Sequence, residues 1–251
     1  MKIILGSIIL ITIIAIVSYI YYNSQIPIVI ISYNNLFFVK NFIRQLKRFP
    51  NPIIVMDNKS SYEPLFEYYK QIKQELGSKI DIRLLPENYG SGVYLQLKHT
   101  LPNVFILSDP DLELNSNMPV NFSDILYRLS NKYKAYKVAV ALDISEPDKL
   151  LNCKNYTDNK SIVDWESQYW KVPVKDSDYE LYKGGHPQDT TFCLINNTYP
   201  VENKIRIAGN FTAKHLPWYK NYLEDHIPED ELKQWKNENN SSSILMRCLK
   251  D

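Results

Sequence analysis

Apolar residues fall along this chain in short blocks whose internal spacing alternates between two periods. Ile28-Val29-Ile30-Ile31 is an unbroken aliphatic run that closes on Ser32-Tyr33-Asn34, and it reads as a buried strand ending in polar residues. Phe38, Phe42, Ile43, Leu46 and Phe49 then recur at helical spacing over 37–49, and Pro50 and Pro52 stop that helix. Ile53-Ile54-Val55-Met56 is a second strand ending at Asp57-Asn58, and Pro64 to Leu76 is the next helix, closed by Gly77. Ile80 to Leu85 form a third strand, after which Pro86-Glu87-Asn88-Tyr89-Gly90-Ser91-Gly92 supplies two glycines that let a backbone approach closely. A helix over 93–101 leads into the fourth strand, Val104-Phe105-Ile106-Leu107.

This alternation predicts an α/β fold with a parallel sheet and right-handed crossovers. Ligands of such sheets sit outside the carboxyl ends of the strands. The polar strand ends therefore converge: Ser32 to Asn34, Asp57 with Asn58, Asn88 with Gly90, and Asp109 with Asp111. In the last of these, four apolar residues run into two carboxylates one residue apart, which repel unless a cation or a shared proton relieves them. Pro110 stiffens the backbone between them. The alternative is an ordinary turn, because Asp-Pro and Pro-Asp are common turn dipeptides. No Gly-x-Gly-x-x-Gly and no P-loop follows the first strand, so a dinucleotide-binding or P-loop domain is not indicated.

The second half carries fewer signals. A helix is expected over 122–129 and a strand over Val138-Ala139-Val140-Ala141-Leu142, ending at Asp143. Ser161 to Asp164 fits a helix start, with Asp in place of the usual Glu or Gln of a capping box, and Trp165, Tyr169 and Trp170 are expected to share a face of the helix that follows. Packing is one account of these aromatics, and a flat platform for an acceptor sugar is the other. Gly184-Gly185 forms a flexible pair ahead of His186-Pro187-Gln188-Asp189 and a strand-like run through Ile195. Arg206, Lys214 and His215 are candidates to face an anionic group such as a diphosphate, in a segment that also holds Trp218.

The chain has 251 residues, and its 29 Lys+Arg are nearly balanced by 28 Asp+Glu, so nothing points to nucleic acid as a partner. Ile3 to Ile20 is mostly aliphatic and uncharged, and at about 1.5 Å per residue it is just long enough to cross a bilayer. Tyr19, Tyr21 and Tyr22 follow as an interfacial belt, which favours a retained single-pass anchor over a cleaved signal peptide. The basic residues do not decide which side of the membrane the rest occupies. Eight Asn-x-Ser/Thr triplets, at Asn58, Asn121, Asn155, Asn159, Asn196, Asn210, Asn239 and Asn240, are compatible with a glycosylated domain, yet an Asn-rich chain makes such triplets by chance. The odd cysteine count, Cys153, Cys193 and Cys248, argues against a full disulfide framework.

Taken together, Val29-Ile30-Ile31-Ser32-Tyr33-Asn34, Met56-Asp57-Asn58-Lys59-Ser60, Glu87-Asn88-Tyr89-Gly90 and Asp109-Pro110-Asp111 resemble the GT-A fold glycosyltransferases, most closely the family 2 type, in order and in spacing over about residues 27 to 115. The resemblance implies residues 1–25 as anchor and stem, and a GT-A domain over 26–251. That domain would have a nucleotide-sugar half over 26–115, an acceptor and catalytic half over 116–251, and a mixed, mainly parallel sheet.

It further implies that Ser32, Tyr33, Asp57, Asn88, Gly90 and Asp109 line the pocket of a UDP- or GDP-linked donor. Asp109, Asp111 and His215 would bring Mn²⁺ or Mg²⁺ to the diphosphate, and Trp165, Glu166 and Trp218 would meet a glycan, protein or lipid acceptor. Asp189 is the candidate base of an inverting transfer, with Glu166 and Asp164 as rivals. A nucleotidyltransferase and a non-catalytic sugar- or nucleotide-binding module at a membrane are the competing functions.

Overall fold

The computed structural model describes residues 26–152, 154, 159–185 and 192–237. Its first half runs β1 (Ile28–Ser32), α1 (Leu36–Leu46), β2 (Ile53–Asp57), α2 (Glu63–Leu76), β3 (Ile80–Leu84), α3 (Val93–Gln96), β4 (Val104–Ser108) and β5 (Leu112–Leu114). The second half runs α4 (Phe122–Tyr133), β6 (Lys137–Val140), α5 (Ile162–Ser167), β7 (Pro173–Val174), β8 (Leu181–Lys183), β9 (Cys193–Asn196), β10 (Lys204–Ile207), β11 (Ala213–His215), α6 (Tyr222–His226) and α7 (Glu229–Asn237).

Nine strands make one mixed sheet in the order β3-β2-β1-β4-β9-β6-β10-β8-β7, and β11 pairs with β5 in a separate two-stranded ribbon. The pairs β1–β2, β1–β4 and β2–β3 are parallel, as the strand–helix alternation predicts. β9 then enters antiparallel between β4 and β6, so the sheet is continuous across both halves of the chain. The register sets Ser32 opposite Asp57 and Ile30 opposite Ser108, so the ends of β1, β2 and β4 share one edge.

Successive residues of a strand point to opposite faces, and β1 shows the result directly. Ile28 and Ile30 join the larger core with α1, α2 and α4, while Val29 and Ile31 join the smaller one with Val93, Tyr136 and Ile195. Helix α1 holds to the larger core through Phe38, Val39, Phe42, Ile43 and Leu46, each worth roughly 1.5–3 kcal/mol of burial.

The helix expected over 93–101 is shorter than the pattern suggests: α3 ends at Gln96 and a 3-10 turn covers Lys98–Thr100. Only Val93 of this segment is buried, and Pro102 forces Leu101 into an extended conformation. Conversely, α4 continues past Leu129 to Tyr133 and ends at Lys134 in a left-handed conformation. Among the described residues no helix is long and apolar enough to cross a membrane, and the expected anchor over 1–25 lies outside them.

Candidate active site

The edge formed by β1 and β2 is held by side chains that bond to neighbouring loops. The Asp57 carboxylate accepts from Ser60 N at 2.8 Å, Ser60 Oγ at 2.7 Å and the Tyr69 hydroxyl at 2.8 Å, and the residue is 1% exposed. Burial and the Asp57 charge push the Tyr69 hydroxyl above its ordinary range, which keeps it a donor. Asn34, with φ of 49°, accepts from Ser61 N at 2.7 Å and Tyr62 N at 3.0 Å, tying the loop after β1 to the loop after β2. Asn58 donates to Gly90 O at 3.1 Å and so draws the glycine loop to the same edge.

Asp57, a candidate to meet a nucleotide, is buried here, and its carboxylate organises the loop that follows it. Ser32 is also fully buried, beside Tyr69. Tyr33 and Asp109 are half-buried, and Asn88 and Gly90 are exposed, so these four retain surface toward the edge. Asn88 accepts from Gly90 N at 2.9 Å, closing a turn in which Gly90 takes a φ of 67° that an L side chain rarely adopts.

Past β4, the chain turns through Asp109-Pro110-Asp111 into β5, whose antiparallel partner β11 sets His215 opposite Leu112. Leu216 N bonds to Asp111 O at 2.9 Å and extends that pairing by one step. The consequence is that His215 Nε2 lies 3.3 Å from Asp111 Oδ2, with the two side chains 18% and 22% exposed. Trp218 closes one side of the imidazole, its ring centroid 4.6 Å away.

A carboxylate oxygen and an imidazole nitrogen at this spacing match adjacent ligands of one octahedral ion, which sit about 3 Å apart. Among the described residues no three His, Cys, Asp or Glu side chains converge on such a point. A divalent ion held by one or two protein ligands takes its remaining positions from phosphate oxygens and water, and the Asp111–His215 pair fits that mode.

The remaining sequence candidates are distributed differently. Glu166 is 1% exposed and Arg206 2%, and the two form a buried ion pair in which the guanidinium donates to the carboxylate. Glu166 also accepts from Leu142 N at 3.3 Å. Burial pushes the Glu166 carboxyl up, and the Arg206 charge opposes that shift. Arg206 therefore does not face a diphosphate as expected, because its charge is neutralised inside the fold.

The Arg206 guanidinium lies 4.3 Å from the Tyr169 ring centroid. Gly185 packs against the same ring so closely that an added Cβ would stand 2.7 Å from it. The glycine read as flexible is thus required for a close approach.

Ser161 caps α5 as expected, accepting from Asp164 N at 3.1 Å. Trp165 meets Tyr169 edge-on at 6.2 Å and is half-buried, whereas Trp170 turns away to Tyr182. Trp218, at 7% exposed, offers no open face for stacking a sugar. Asp189 lies outside the described residues.

Sequence reasoning passed over the part played by the last helix. Glu231 of α7 is fully buried and accepts from Phe37 N at 3.0 and 3.1 Å, giving the start of α1 a carboxyl acceptor that its own first turn lacks. Asp230 accepts from the Tyr62 hydroxyl at 2.6 Å and Trp235 Nε1 donates to Asn34 O, so α7 clasps the loops at the edge. The acidic run Glu229-Asp230-Glu231 was the available signal, and on its own it is equally consistent with a solvated helix start.

No family model and no curated protein matches the sequence. The fold does have counterparts among solved structures. GalNAc-T7 with UDP, GalNAc and Mn²⁺ superposes with a TM-score of 0.51 at 11% identity over 76% of this chain. The fold is of the GT-A type. This chain spans 43% of that protein. Looser superpositions are found with the mannosyltransferase PcManGT of Pyrobaculum calidifontis in complex with GDP-Man and Mn²⁺ (TM-score 0.47, 9% identity, 90% of this chain and 68% of that one). The apo glycosyltransferase GlyE of Streptococcus pneumoniae TIGR4 gives a TM-score of 0.34 at 12% identity, over 90% of this chain and 42% of that one.

Proposed function

We propose that the chain is a metal-dependent glycosyltransferase that moves a sugar from a UDP- or GDP-linked donor to a hydroxyl of a glycan, protein or lipid acceptor. The observation that carries this reading is the meeting of Asp111 with His215 at the edge where the ends of β1, β2 and β4 converge. The presence of UDP and Mn²⁺ in the GalNAc-T7 structure is in keeping with it. A divalent ion bound there supplies charge neutralisation to the diphosphate leaving group.

The chain's own residues do the rest. Asp111 and His215 hold the ion, and Asp109 stands one proline away to join them or to meet the ribose. Tyr33, Asn88 and Gly90 line the nucleoside end, on loops fixed by Asp57, Asn58 and Asn34. Trp165 is the acceptor-side aromatic that keeps a partly open face.

In an inverting displacement Asp189 takes the proton of the acceptor hydroxyl as its oxygen attacks the anomeric carbon and the nucleoside diphosphate departs. Gly185, which packs against Tyr169, is the last described residue before the segment that holds Asp189. The same proposal keeps residues 1–25 as membrane anchor and short stem.

Nucleotide-sugar donors incubated with the protein and Mn²⁺ test the reading. Release of one nucleoside diphosphate, abolished by EDTA and lowered roughly a hundredfold in Asp111→Asn, is expected. Release that ignores both the chelator and the substitution would overturn it.

A further inference from the structure

On the far side of the β5–β11 ribbon lies a cleft of about 530 Å³ that the donor site does not use. Strand alternation sends Lys214 and its cross-strand partner Glu113 to the face opposite His215 and Leu112, and both line this cleft. Its other wall is α1, whose sequence contains cations and no acid. Arg44, and Arg48 one turn further on, project into the cleft from that side.

Two guanidiniums that line one cleft repel, and an anion between them relieves that repulsion. Among the described residues the two guanidiniums bond only neutral oxygens: Arg44 donates to Asn41 Oδ1 at 2.6 Å, and Arg48 to Asn115 O at 2.7 Å and Ser116 O at 2.8 Å. Lys214 stands 3.5 Å from Glu113, both of them substantially exposed. Asp143 completes the rim, where it accepts from Ser145 N at 2.9 Å. The cleft therefore presents three cations, two carboxylates and the hydroxyls of Ser116 and Thr212.

We propose that this cleft binds a phosphorylated polyol. Arg44, Arg48 and Lys214 take the phosphate, since guanidinium forks match phosphate oxygens in two-point contact. Glu113 and Asp143 accept from the polyol hydroxyls, a role that carboxylates fill and that a site for bare phosphate would not need. A free sugar phosphate and a glycerophosphate headgroup of a lipid share this chemistry. The site is separate from the metal pair, and its occupancy does not depend on glycosyl transfer.

Titration calorimetry of the full chain in EDTA, with inorganic phosphate and with glycerol 3-phosphate, tests the assignment. Vesicles of phosphatidylglycerol compared with phosphatidylcholine distinguish a lipid source from a soluble one. Glycerol 3-phosphate is expected to bind more tightly than inorganic phosphate, and Arg44→Gln and Lys214→Gln are each expected to weaken binding about tenfold. Arg44 is the preferred site because it is exposed and its hydrogen-bond partner, Asn41, is a side chain of its own helix, so the variant keeps the fold.

Asp111→Asn is expected to leave this binding unchanged, which separates the cleft from the donor site. Selective binding of phosphatidylglycerol vesicles that is lost in the same two variants would assign the lipid headgroup. Absence of saturable binding to any of these probes, or binding that Arg44→Gln and Lys214→Gln leave intact, would overturn the proposal.

Discussion

Glu166 and Arg206 pair across the sheet edge with neither side chain more than 2% exposed. A buried ion pair is expensive to desolvate, yet breaking it from one side leaves the other charge uncompensated, at a cost of about 3–5 kcal/mol. Arg206→Ala is therefore expected to lower the unfolding free energy by that amount in urea titrations. Glu166→Gln keeps an acceptor for Leu142 N but leaves the Arg206 charge uncompensated, so it is expected to cost a similar amount while leaving most of any donor turnover. If Glu166→Gln abolished turnover without lowering stability, Glu166 would be a base and not a structural partner.

Glu231 gives a pH dependence. Burial pushes its carboxyl from the ordinary 4.5 up to about 7, opposed by the bond from Phe37 N and reinforced by the Asp230 charge. Between those values the folded protein holds a proton that the unfolded chain has released, so stability falls as pH rises through that window and is recovered below it. The span is at most about 3 kcal/mol. With the intrinsic, base-catalysed rise in amide exchange divided out, the protection of α7 is expected to fall from pH 5 to pH 7, and Glu231→Gln is expected to flatten that trend. An unchanged trend in the variant would assign it to another group.

Tyr69 donates to Asp57 at 2.8 Å within the larger core. Tyr69→Phe keeps the ring and removes the hydroxyl, at an expected cost of about 1.5–3 kcal/mol for a buried bond to a charged acceptor. Because Asp57 then holds its loop through Ser60 alone, nucleotide affinity should fall together with stability. A loss of stability with unchanged affinity would show that the loop does not position the nucleotide.

Two of the Asn-x-Ser/Thr triplets are closed by the fold. Asn58 is 2% exposed and donates to Gly90 O, and Asn196 is 1% exposed with its amide donating to Ser130 Oγ at 3.1 Å. Protein made in a glycosylating host is expected to be unmodified at both, while Asn210, which is exposed, remains accessible. Peptide mass spectrometry reads the outcome directly, and a high-occupancy glycan at Asn58 would contradict the arrangement of the edge.

The parallel half of the sheet was legible because strands buried on both faces read as unbroken aliphatic runs, and each run here closes on polar residues at the same edge. The entry of β9 between β4 and β6 was not, since no local pattern distinguishes a parallel from an antiparallel neighbour. Site residues divided in the same way. Asp111 and His215 were named from motif and order, and the pairing of β5 with β11 brings them together. The capture of Arg206 by Glu166, forty positions away, and of Phe37 N by Glu231 depends on tertiary packing between residue types that are equally at home in an active site. The Asp57 carboxylate was ambiguous for a related reason: the bonds it accepts from Ser60 and Tyr69 are of the kind it would accept from a ribose hydroxyl.

The most direct test of the metal site is Mn²⁺ binding itself, followed by the loss of the free-ion electron paramagnetic resonance signal with UDP or GDP present and absent. The wild-type chain is expected to take up one Mn²⁺ more tightly when the nucleoside diphosphate is bound, with Asp111→Asn and His215→Gln each weakening that ternary binding by about tenfold or more. Equal Mn²⁺ affinity in wild type and both variants would contradict the account, because Asp111 and His215 would then be a hydrogen-bonded pair with no part in holding a cation.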